Sequence, residues 1–134
     1  MAAALGPAPP AGQNRVLLIQ HYRTLLPLSL YMPRLAFVRG AAAAAPRVEQ
    51  LDVISIRSPQ QPLCWWGAAC NLIPSAMQRR YDIAGFHVVS RRHVLQWTIL
   101  TMRAAHPVVI SRREVARALH TTSLPRDELI YQPG

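Results

Sequence analysis

Hydrophobic and polar positions change period several times along this chain. Residues 48–58, VEQLDVISIRS, alternate: Leu51, Val53 and Ser55 fall on one side, and Asp52, Ile54 and Ile56 on the other, which predicts a short strand at 51–57. SPQQP, with two prolines, closes it. The longest proline-free interval runs from Ser75 to His106. Within it Val88, Leu95, Ile99 and Met102 recur at helical spacing, while Arg91, Arg92, Gln96 and Arg103 occupy another face. That length predicts a helix over about 86–105, beginning after Gly85, because an interior glycine costs a helix about 1 kcal/mol relative to alanine. The β-branched and aromatic content of 94–101 also suits a strand. After the extended HPVVIS, Ser111 stands three residues before Glu114. This spacing makes a capping box, in which each side chain satisfies an exposed backbone N–H at a helix start, and it predicts a helix over 112–120. That helix shows Val115, Ala118 and Leu119 on one side and Arg112, Arg113 and Arg117 to solvent.

Earlier in the chain the pattern is weaker. MAAALGPAPPAGQN is of low complexity and reads as disordered. Residues 15–40 are apolar but place Arg23, Pro27, Pro33 and Arg34 inside any membrane span, and an arginine at mid-bilayer costs at least about 2.5 kcal/mol. A helix lying on the membrane surface suits them better, with Leu17, Leu18, His21, Tyr22, Leu25 and Leu28 on one face and Arg15 and Arg23 reaching anionic lipid. The expectation is a mainly α, small and partly disordered protein. Its disordered, targeting-like basic segment is 1–47, and its small helical region, one domain at most, is 48–134.

Composition changes this picture in two ways. Twelve prolines in 134 residues confine long helices to the interval already named, and the alanine run 41–45 gains little from burial. Fifteen arginines, no lysine and six acids leave a charge of +9, a surface that attracts polyanions. Guanidinium groups suit bidentate phosphate contacts, so the arginines Arg79, Arg80, Arg91, Arg92, Arg112, Arg113 and Arg117 are the candidate anion-binding residues. Trp65 and Trp66, adjacent in LCWWGAAC, must point in different directions on any regular element and are candidate interface residues. GC-rich coding sequence also produces arginine, alanine and proline together. A young or non-selected reading frame without a stable fold is therefore an alternative.

Three short resemblances bear on function. Arg15 to Arg47, with five arginines and no acid, resembles a mitochondrial transit peptide, and Arg117-Ala-Leu119-His-Thr-Thr122 is similar to the pattern near presequence cleavage sites. HYRTLL resembles the tripeptide of LYR-motif mitochondrial proteins, with His21 where that family has leucine; no function follows from it. EVARAL resembles the first helix of a helix-turn-helix, a DNA-binding alternative, but His120 stands where a turn glycine is usual and Pro125 falls in the second helix.

Catalytic chemistry is not marked. The six glycines are isolated and form no phosphate-cradling loop. The histidines at 21, 87, 93, 106 and 120 never take i, i+4 spacing, and Cys64 and Cys70 lack C-x-x-C spacing, so neither a metal site nor a cofactor is expected. The sequence thus points to a small basic non-enzymatic mitochondrial protein, with nucleus or cytoplasm as alternative addresses. It would contact an anionic membrane surface or nucleic acid such as RNA, or a larger protein assembly, and take no small-molecule substrate.

Overall fold

A computed structural model describes residues 2–19, 28–32, 34–37, 47–56, 83–95, 97–111, 114 and 128–134. Its elements are helix α1 (Ala2–Leu5) and strands β1 (Asn14–Ile19), β2 (Ala36–Phe37), β3 (Val48–Ile56), β4 (Phe86–Val94), β5 (Trp97–Val108) and β6 (Glu128–Pro133). The strands form one mixed sheet in the order β2-β6-β1-β3-β5-β4. The pair β1–β3 is parallel and every other pair antiparallel.

The mainly α expectation is overturned: among the described residues the fold is mostly β. Residues 86–105, expected as one helix, form the β4–β5 hairpin, closed by the pair Val94↔Trp97. The helical spacing of Val88, Leu95, Ile99 and Met102 does not mark a common buried face. Leu95 is 90% exposed at the hairpin tip, and Ile99 and Met102 pack in different clusters on opposite sides of the sheet. Alternation governs instead, with Leu100, Met102 and Ala104 on one side and Ile99 and Thr101 on the other. Strand β3 covers 51–56 and extends three residues upstream of it.

Residues 14–19, inside the segment expected to be disordered, are a strand near the middle of the sheet, flanked by β6 and β3. Leu17 and Leu18, expected on one face of a surface helix, point to opposite sides of it. The run Val16–Ile19 is buried throughout, as a strand covered on both faces must be. On one side Ile83 and Ile110, outside the strands, pack with Phe86 of β4 against Val16, Leu18, Leu51, Val53, Leu100 and Met102. On the other, a second cover of Leu5, Leu28 and Met32 packs over Leu17, Ile19, Ile54, Ile99 and Ile130. A parallel pair requires a crossover; residues between β1 and β3 make it, and their helical turn at 28–31 contributes Leu28 to that second cover.

The capping box is formed: the Ser111 N–H donates to Glu114 Oε2 at 2.7 Å, and the Glu114 N–H donates to Ser111 Oγ at 3.2 Å. The helix expected over 112–120 lies, apart from Glu114, outside the described residues.

The hairpin enters through a turn in which the Phe86 N–H donates to the Ile83 carbonyl at 2.9 Å, with Gly85 at φ +84. A Cβ on Gly85 would lie 3.0 Å from Val108 Cγ2. Gly85→Ala is therefore expected to destabilise the chain by about 1–2 kcal/mol, from left-handed backbone and crowding together. A shift of the urea midpoint at constant slope checks this.

Candidate functional site

A row of polar side chains crosses the α1-covered face of the sheet. Arg15 on β1 is 2% exposed and Asp52 on β3 is 1% exposed, with Thr101 on β5 and Gln132 on β6 buried beside them. The parallel register sets Arg15 opposite Gln50, so Asp52 lies on the same face one step along β3. The Arg15 Nε–H donates to Gln132 Oε1 at 2.7 Å, and Nη1–H donates to the Leu5 carbonyl at 3.0 Å. Nη1 is also 3.7 Å from Asp52 Oδ2. Asp52 accepts from Thr101 Oγ1 at 2.6 Å and from Gln50 Nε2 at 2.7 Å. The second terminal nitrogen of Arg15, Nη2, is buried and has no hydrogen-bond partner among the described residues.

Burial dominates the electrostatics of this pair. It pushes the Asp52 carboxyl above its ordinary value, against the hydrogen bonds from Thr101 and Gln50 and the charges of Arg15 and Arg92. It pulls the Arg15 guanidinium down, against the charge of Asp52. Such a pair is costly to assemble and more costly to break, because the survivor is left as an uncompensated buried charge.

Beside the pair is a cleft of about 370 Å³, between the segment Pro7–Pro10 and the sheet. Arg15, Arg92 and Arg103 line it from β1, β4 and β5, with Gln50, Ser90 and Thr101 between them. Arg92 and Arg103 are exposed, and the hairpin register sets Arg103 opposite His87 and Ser90 opposite Thr101. From residue 83 to residue 111 the sequence holds Arg91, Arg92, Arg103 and three histidines and no carboxylate. Those three arginines and His87, His93 and His106 are all exposed. The β4–β5 hairpin is thus a cationic edge of the sheet, and β4 is its outermost strand.

Of the residues singled out in the sequence, the structure places Arg91 and Arg92 on β4. Adjacent on a strand, they turn to opposite sides of the sheet, Arg92 to the cleft side. Arg79, Arg80, Arg112, Arg113, Arg117, Trp65, Trp66, Cys64 and Cys70 lie outside the described residues, as do the LYR-like, presequence-like and helix-turn-helix-like stretches apart from Glu114. Sequence reasoning missed Arg103 and Arg15 as partners of Arg92; the alternation of 99–104 was the available signal for Arg103. Nothing local marks Arg15 and Asp52, which are brought together by strand pairing alone. Among the described residues no cluster of three or more His, Cys, Asp or Glu has the geometry to hold a metal ion.

Compared with family models, curated proteins and solved structures, the chain matches none.

Proposed function

We propose that this chain is a non-enzymatic polyanion-binding protein that engages RNA through its β4–β5 hairpin. The observation that carries the reading is the carboxylate-free β4–β5 hairpin with Arg91, Arg92 and Arg103 exposed. Guanidinium groups present a planar fork of donors that matches phosphate oxygens, and open sheet surfaces accept single-stranded nucleic acid. Charged side chains on an edge strand also deter edge-to-edge pairing, which needs no ligand. Binding distinguishes the two roles.

We keep a mitochondrial address within the proposal, supported by the acid-free stretch from Arg15 to Arg47. Because β1 lies inside that stretch and between β6 and β3, the address has to be retained rather than removed if the sheet is to form. An anionic membrane is the second reading, favoured by Leu95, exposed at the hairpin tip near Arg91 and Arg92. Among the described residues no helix is long and apolar enough to cross a membrane.

The test is a salt series with an unlabelled chain and a fluorescent oligouridylate, read by anisotropy. Neutralising one phosphate on a single strand contributes about 0.7 to the slope of log affinity against log salt. Replacing Arg91, Arg92 and Arg103 with glutamine is expected to lower that slope by roughly 2. An unchanged slope, or retention by anionic vesicles but not by oligouridylate, overturns the RNA reading.

A further inference from the structure

We propose that the cleft under the Pro7–Pro10 segment is a binding site for a phosphate monoester. The proposal goes beyond the hairpin reading, since RNA can lie along the exposed edge without filling the cleft. Three arginines from three strands line it, and among the described residues the carboxylate beside them, Asp52, is already engaged by Thr101, Gln50 and Arg15. Among the described residues, three positive charges against one negative leave two, and a phosphate monoester carries about that charge at neutral pH. The backbone phosphates inside an RNA strand, being diesters, carry one each.

A second observation points to a ligand independently of charge. Arg15 is held by Gln132, Leu5 and Asp52 through Nε and Nη1 only. Its buried Nη2–H groups have no acceptor among the described residues, although the same side chain lines the cleft. A buried donor is normally satisfied, and a charged one most strictly. An oxyanion in the cleft supplies acceptors of the right charge once the guanidinium turns its enclosed Nη2 toward it. The opposite wall, Leu5 and Pro7 to Pro10, offers no side-chain charge. It leaves an apolar surface for the organic part of the ester.

Isothermal titration of the full chain at fixed ionic strength, with inorganic phosphate as the probe, tests the site. One saturable event is expected, weakened roughly tenfold or more by Arg103→Gln, and unchanged by Arg47→Gln, an exposed arginine outside the cleft. Because Arg103 is exposed, its variant keeps the fold even if Arg15→Gln does not. Absence of a saturable event, or one indifferent to both Arg103→Gln and Arg92→Gln, overturns the proposal. Oligouridylates with and without a 5′-phosphate then separate the sources of the ligand. Preference for the phosphorylated end assigns a strand terminus, and equal binding with phosphate still bound assigns a free small ester. Loss of the phosphate event with RNA binding intact refutes the cleft alone, and the reverse refutes the hairpin reading alone.

Discussion

A chain ending at Asp127 is expected to show no cooperative unfolding transition. The seven residues it lacks include β6, which pairs with β1 along six positions and with β2 on its other side. Leu129 and Ile130 are fully buried, one in each of the two apolar clusters, and each large aliphatic side chain so buried is worth about 1.5–3 kcal/mol. Gln132 is the acceptor at 2.7 Å for Arg15 Nε, so its removal orphans another donor on a side chain that is 2% exposed. An unsatisfied buried donor costs about 1–3 kcal/mol, more when charged. Those losses together reach the size of a small domain's whole stability, about 5–15 kcal/mol. Near-ultraviolet circular dichroism against temperature reads the result; a sigmoidal transition in the truncated chain would show that β6 is dispensable.

The second large effect is at the buried pair. Asp52→Ala leaves Arg15 in the interior without its counter-charge and is expected to destabilise the fold by about 3–5 kcal/mol. Arg15→Met alone leaves Asp52 uncompensated and costs a similar amount. Combined as Arg15→Met with Asp52→Leu, the two positions become apolar and most of the loss is expected to return, because desolvation is no longer charged to either group. Strict additivity of the single effects would contradict a direct coupling. Asp52 also makes stability pH-dependent. Its carboxyl is held above the unfolded value, so the folded chain binds the proton more tightly than the unfolded one. That contribution is full below the ordinary aspartate value and is lost as pH rises through the raised one. Asp52→Asn flattens the dependence across this window.

How much of this was legible in the sequence depended on the strand. β3 could be read because Leu51 and Val53 alternate with Asp52 and Ile54, and the structure puts those pairs on opposite faces. β1 could not, because Val16 to Ile19 are apolar without a break, as residues covered on both sides are, and a continuous run does not separate strand from helix. The hairpin was misread because two features conspired. Leu95 turns the chain at φ 53, where glycine or asparagine normally marks the bend, and strand β5, with twelve residues, matches a helix in length. Leu95→Gly is expected to relax that backbone, the opposite of the strain that Gly85→Ala introduces.

The site was legible only as charge. Arg91 and Arg92 stand out as a doublet, yet neighbours on a strand diverge, and the doublet is divided between two faces. The cleft joins Arg92 to Arg103, eleven residues later, and to Arg15, far upstream, through pairings that no local pattern encodes. Asp52, the nearest carboxylate, sits 37 residues after Arg15 in a stretch whose alternation identified the strand but not its neighbour. Local periodicity determines which side of an element a residue faces. Sheet order determines what it meets there.

The claim on which the rest depends is that the arginine-bearing, acid-free hairpin is where this protein meets phosphate. Amide resonances followed during titration with oligouridylate test it most directly. The largest shifts are expected along Phe86–Val94 and at Arg103; shifts confined to residues 2–19 and 128–134, or none at all, would contradict it.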